Sequence, residues 1–254
     1  MTEVVFALLP NVVLLDVAGP AEAFRIANRL MPGSYTLRYV GSTRTLDSAV
    51  GLKLAALRPL PRKLPAGANI IVTGITGSRV DRNEPANARM ASWLAHIMKD
   101  ESHTLMCVCA GSVIAGHASL LAGRDCTTHH DHVEELRAVE PTARVHANRI
   151  FVEDGRVFTS AGVTAGIDLA LALVADDHGA RAAGEVARQL VVYLRRSGGQ
   201  AQFSAVLAAQ SSDHEPVRDV LTWLTDNMTA DLSIPALAAQ ATLLGAQKRG
   251  PFAL

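Results

Sequence analysis

The sequence lacks several features that would place its function quickly. Its 24 Lys+Arg are matched by 24 Asp+Glu, so no net charge marks the molecule for nucleic acid or an anionic membrane. Cysteine is scarce: three residues, an odd number without the paired spacing of a secreted scaffold. That points to free thiols in a reducing, cytoplasmic setting. No basic region precedes the apolar start "MTEVVFALLPNVVLLD", which carries Glu3 and is broken at Pro10 and Asn11, so no signal peptide is expected. The longest other apolar run, "VTAGIDLALALVA", is too short to span a bilayer and contains Asp168, so no membrane association is expected. Internal repeats and low-complexity tracts are lacking as well. What is present is 254 residues, 49% of them hydrophobic, enough for one sizeable α/β domain plus something small.

Continuous apolar runs at 3–10, 68–74 and 103–109 read as strands buried on both faces, and 35–41 alternates as a strand. Helical spacing falls between them at 16–31, 83–101 and 110–123, the last closing on Gly123. Strands alternating with helices imply a mostly parallel, doubly wound sheet covered on both faces. "RIFVEDGRVFTS" (149–160) carries a hairpin signal at Asp154-Gly155. Two helices follow, at 162–177 and 180–194. Periodicity is then lost in a Gly-, Ser- and Gln-rich stretch that reads as a linker at 195–214, before a helical appendage at 215–254. The first domain is accordingly placed at 1–194.

The corner in "VCAGS" concentrates the chemistry. Cys109 ends a strand, and Ala110 and Gly111 are small enough for a helix to leave at once. This is the strand-turn-helix logic of a nucleophile elbow, where N–H groups at the helix start favour a thiolate. A small buried residue filling the junction is the other reading, and both stay open here. Cys107, two residues earlier, and Cys126 read as core. Asp16 follows the first strand and serves either as a helix cap or as a carboxylate partner of the thiol. "GITGS" (74–78) could turn backbone N–H groups, at Gly74 and Ile75, toward a developing oxyanion. "TTHHDH" (127–132) has histidines at a spacing like a metal cluster, but no flanking carboxylate pattern completes it, so no metal and no cofactor are expected.

These motifs together resemble the ThiJ/PfpI superfamily, with its class-I-glutamine-amidotransferase-like, flavodoxin-like sheet. The carrying stretches are "LLDVAGPAEAF" (14–24), "VCAGSVIAGHASLLAGRDCTTHH" (108–130) and "RIFVEDGRVFTSAGVTAGIDLALALVADDHG" (149–179). The last, with "RRSGGQAQFS" (195–204), is similar to the subgroup that precedes an AraC-type helix-turn-helix in bacterial regulators. About four-fifths of the chain is covered. The resemblance implies Cys109 as the family cysteine, Asp16 as the family acid and His129 as the family histidine. It also implies an oxyanion-type loop at Gly74–Ile75, with Ala110, Gly111 and His130 lining the ligand pocket. A homodimer, often with the pocket near its interface, is implied too. Ala110 stands where PfpI-type proteases have histidine and isonitrile hydratases threonine, and His130 stands where the subgroup usually has Trp.

"PVRDVLTWLTDNMTADLSIPALAAQA" (216–241) resembles the opening of an AraC-type domain, but the usual turn and arginine-rich recognition helix do not follow. Residues 216–254 hold Arg218, Lys248 and Arg249 against Asp219, Asp226 and Asp231, short of the cations a DNA reader needs. The leading expectation is therefore a regulator whose main domain senses a small molecule, with DNA binding impaired by truncation. The alternatives are a cysteine-dependent hydratase, hydrolase or glyoxalase-like enzyme using Cys109 and Asp16, and a redox-sensing thiol at Cys109.

Overall fold

A computed structural model describes residues 1–77, 79–192, 196–202, 214–227 and 229–249. The chain divides into two compact units, Met1–Gln202 and Phe203–Leu254.

The first unit is built on apolar strands that must hide both faces. β1 (Thr2–Leu8), β2 (Tyr35–Gly41), β5 (Arg58–Pro59), β6 (Asn69–Val72), β7 (Thr104–Val108), β10 (Phe151–Asp154) and β11 (Val157–Ser160) form one sheet in the order β10-β11-β7-β6-β1-β2-β5. All neighbours run parallel except the β10–β11 hairpin, which turns through Gly155-Arg156, one residue beyond the expected Asp154-Gly155 pair, since Asp154 pairs with Val157. Short pairs β3 (Leu46–Asp47) with β4 (Lys53–Leu54), and β8 (Asp125–Cys126) with β9 (Arg144–Val145), lie outside it.

Alternation along β1 splits its side chains between two cores. Val4, Phe6 and Leu8 pack with α1 (Leu14–Leu30) and α5 (Ala165–Gln189) on one face. Val5, Ala7 and Leu9 pack with α2 (Pro85–Ile97) and α3 (Gly111–His117) on the other. Each such Val, Leu or Phe contributes about 1.5–3 kcal/mol of hydrophobic stabilisation when fully buried. Cys107 and Cys126 are fully buried free thiols in the second core, as their positions suggested. Because β1 continues to β2 on one side while β6 lies on its other side, the strand order reverses between β1 and β6. Ligand crevices open at that point, beyond the carboxyl ends of the strands.

Three boundaries differ from the sequence expectations. The helix expected to run 110–123 stops at His117. Ser119 takes a positive φ of 56°, with Ser119 N–H donating to Gly116 O and Leu120 N–H to Ala115 O. That is a Schellman cap, and Ser rather than Gly123 supplies it. The helices expected at 162–177 and 180–194 form α5, broken at Gly179 (φ 85°, ψ 159°); residues 193–195 lie outside the described part. The first unit also extends past 194 to Gln202, because the Gly-rich segment is tied down. Arg196 clasps the buried Asp168 through Nε at 2.9 Å and Nη2 at 2.6 Å. Gln200 O accepts from Ile150 N–H, and Gln202 Nε2 donates to Thr128 O at 2.9 Å.

In the second unit, α6 (Glu215–Asp226) packs on α7 (Ile234–Arg249). α7 runs unbroken through the stretch "TLLGAQKR", where the sequence showed no recognisable turn. Among the described residues no helix is long and apolar enough to cross a membrane.

Candidate functional site

Four strand ends converge at the reversal point. Asp16 sits in the first turn of α1, which leaves β1; Gly74 follows β6; Cys109 follows β7; Gly162 and Val163 follow β11. Asp16 is fully buried, yet no cation meets it among the described residues. Its Oδ2 accepts from Gly74 N–H at 3.1 Å and its Oδ1 from Val163 N–H at 2.6 Å, while the Cys109 thiol forms a further hydrogen bond to the carboxylate. Burial nonetheless outweighs these bonds and lifts the Asp16 pKa to about 6.

Cys109 is 5% exposed and sits at φ 57°, the left-handed region that costs an ordinary side chain about 1–3 kcal/mol. The corner is over-determined. Cys109 N–H donates to Ser160 O at 3.0 Å, and its carbonyl accepts from Thr128 Oγ1 at 2.9 Å. Burial pushes the Cys109 thiol up to about 12, and the nearby charges of Asp16 and Asp131 push the same way; a bond from the Ala110 N–H opposes them. The resulting pair is a neutral thiol donating to a carboxylate, and the carboxylate exchanges its own proton near neutrality.

Glycines make this approach possible. A Cβ on Gly162 (φ 84°) would lie 2.2 Å from Cys109 Cβ, and one on Gly74 would lie 2.6 Å from both Asp16 Oδ2 and Cys109 Cβ. A Cβ on Gly111 would strike Val72 O at 2.3 Å, so the helix can leave the corner only through glycine.

The structure brings Asp16, Gly74, Cys109, Ala110 and Gly111 together. It gives the Gly74 N–H a different task from the one its loop suggested, since that donor is committed to Asp16. Ile75 is held back by an antiparallel bridge to Val12. His129 and His130 lie at the start of a 3-10 turn (His130–His132), their rings 4.1 Å apart, and Thr128 joins their segment to the corner. Among the described residues no hydrogen bond links His129 to Cys109; its pKa is lowered, first by burial and then by His130.

Val163 was not anticipated. Its contribution is a backbone N–H, delivered from a φ of 52° that a β-branched residue rarely adopts. The only local signal was the run of small residues around it, "SAGVTAG".

A buried acid against an elbow cysteine, at the reversal of a parallel sheet, matches a known family model. The DJ-1/PfpI family model aligns with residues 2–176. The chain belongs to the DJ-1/PfpI family.

Two curated relatives and one solved structure are similar to this chain. The HTH-type transcriptional regulator CdhR of Pseudomonas aeruginosa is 29% identical over 191 residues, 74% of this chain and 54% of CdhR. This chain thus matches about half the length of that regulator. The isonitrile hydratase of Pseudomonas putida is 46% identical, but over 69 residues, 26% of this chain and 28% of the hydratase. The crystal structure of an AraC family transcriptional regulator from Pseudomonas putida superposes with a TM-score of 0.63 at 22% identity, covering 75% of this chain and all of that one. At that identity the likeness concerns the DJ-1/PfpI fold.

Proposed function

We propose that this chain is the sensing part of an AraC-type transcriptional regulator, whose DJ-1/PfpI domain takes up a small molecule at the Asp16–Cys109 corner. The observation that carries the reading is the geometry of the pair: Cys109 is buried against the equally buried Asp16, whose carboxylate is held by the Gly74 and Val163 N–H groups. A thiol held near 12 by burial and by two carboxylates is a poor nucleophile at neutral pH, so the corner suits binding better than turnover. Similarity to CdhR supports the regulatory half of the proposal. Gly74, Ala110, Gly111, His129 and His130 belong to the proposed pocket. DNA binding by this chain is proposed to be weak, since the tail from residue 216 carries as many acids as bases. The reading also includes a homodimer, supported by the exposed Leu15 and Val163 beside the corner.

A thermal-shift screen of small polar metabolites tests the sensing role. A compound that raises the melting temperature of the native protein, loses that effect in Cys109→Leu, and is recovered unchanged fits the proposal. A compound consumed in a Cys109-dependent reaction would sink it.

A second reading, a cysteine-dependent hydratase, draws on one specific feature besides the partial likeness to the isonitrile hydratase. Asp16, poised near pH 6, is suited to take the thiol proton as sulfur adds to a small unsaturated carbon, and to return it afterwards. Turnover of an isonitrile, abolished in Cys109→Ala and Asp16→Asn alike, distinguishes this reading from the first.

A further inference from the structure

We propose that His129, His130 and Asp131 form a binding site for a divalent transition cation of the zinc type, beside the corner and independent of the regulator reading. The sequence suggested histidines without a completing carboxylate; the folded 3-10 turn brings Asp131 in as that carboxylate. One donor atom from each of the three residues lies within 4.8 Å of the other two.

The separations have the size that metal coordination requires. His129 Nδ1 lies 3.5 Å from Asp131 Oδ2, and His130 Nε2 lies 3.3 Å from Asp131 Oδ1. Both exceed the usual length of a charge-assisted hydrogen bond, about 2.7–2.9 Å. They run to the two different oxygens of Asp131, so the carboxylate would bind through both, and each is close to the spacing of about 3.4 Å between neighbouring donors around an ion bound at about 2.1 Å.

The His129 Nδ1 lone pair now accepts a long 3.4 Å contact from Asp131 N–H, a weak bond that an incoming cation would replace. Two imidazoles and one carboxylate are a borderline donor set, which selects zinc-like cations over calcium or magnesium. The open side of an exposed three-residue cluster leaves at least one position for water or a ligand atom.

The neighbouring histidine does not compete. His132 Nδ1 sits 2.8 Å from Glu135 Oε2 with both side chains nearly buried, and this pairing anchors the turn from below. The second of the two anchors is the Thr128 bond to the Cys109 carbonyl. The donors are therefore mounted at both ends on the rigid part of the domain.

The test is calorimetric titration of the untagged, chelator-stripped full chain with zinc chloride, repeated with cobalt chloride and followed by visible absorption. One saturable site is expected, weakened at least about tenfold in each of His129→Ala, His130→Ala and Asp131→Asn and unchanged in Cys109→Ala. Cobalt is expected to give ligand-field bands without a sulfur-to-cobalt charge-transfer band. His130 and Asp131 are exposed, so melting curves of their variants should match the parent and show that the fold survives. Lack of saturable binding, binding indifferent to Asp131→Asn, or a sulfur charge-transfer band would each overturn the proposal.

Discussion

Asp16 and Asp168 occupy matching places and lead opposite lives. Each lies in the first turn of a helix, α1 and α5, where the N-terminal dipole favours an acid, and the two helices pack on each other. Both are nearly inaccessible, at 0% and 4% exposure. Asp168 is held by a guanidinium, with three hydrogen bonds from Arg196 that leave its charge neutralised in place. Asp16 has two backbone N–H groups and a thiol, which orient the carboxylate without neutralising it. The first arrangement closes a domain; the second leaves a titratable group in a cramped, strained corner. A buried acid without a cation is the better marker of a working site.

The comparison breaks most decisively at the thiol beside Asp16. With its pKa near 12, Cys109 should alkylate with iodoacetamide at pH 7 about a thousandfold more slowly than an unperturbed cysteine of pKa near 8.5. Mass-spectrometric time courses would show this, and labelling at the rate of a free thiol would mean that burial and the Asp16 charge do not raise it. On the Asp168 side, removing one member of the clasp strands the other. Asp168→Ala should lower unfolding stability by about 3 kcal/mol in urea titrations, somewhat below a fully buried pair because Arg196 is part exposed.

The two acids should also part company with pH. Asp16 binds its proton more tightly when folded than unfolded, so its contribution to stability is greatest below about pH 4. That contribution falls as pH rises to about 6 and is flat above, a loss of about 2–3 kcal/mol. In Asp16→Asn that fall should disappear; chemical denaturation at pH 4.5 and 7.5 measures it, and an unchanged slope would reassign the titration elsewhere. The smallest effect lies away from both acids. Ser119→Gly relieves the positive φ of the α3 cap and should add about 0.5–1 kcal/mol, visible as a rise in melting temperature.

The legible parts of this molecule are those written in side chains. Continuous apolar runs at 3–10 and 68–74 place β1 and β6, because a strand covered on both faces tolerates little else. Asp16 and Cys109 stand out as an acid and a thiol at strand ends. Val163 could not be read in the same way, since what it supplies is a main-chain donor whose angle is imposed by Gly162 and the corner. Arg196 was equally hidden. Its neighbours Ser197, Gly198 and Gly199 have linker composition, and its partner Asp168 is 28 positions earlier, beyond any local pattern. Ser119 misled because capping by a residue other than glycine leaves no compositional trace. Asp131 was discounted because its service to two imidazoles depends on the tight 3-10 turn that folds it back over His129.

The bonds of Thr128 join the corner to the last described residue of the first unit. Gln202 Nε2 grips the Thr128 carbonyl, and Thr128 Oγ1 grips the carbonyl of Cys109, each at 2.9 Å. The polypeptide therefore leaves its first unit through a two-link chain fastened to the elbow peptide. Any tilt of that peptide pulls on the exit point directly, with no need to deform the sheet beneath it.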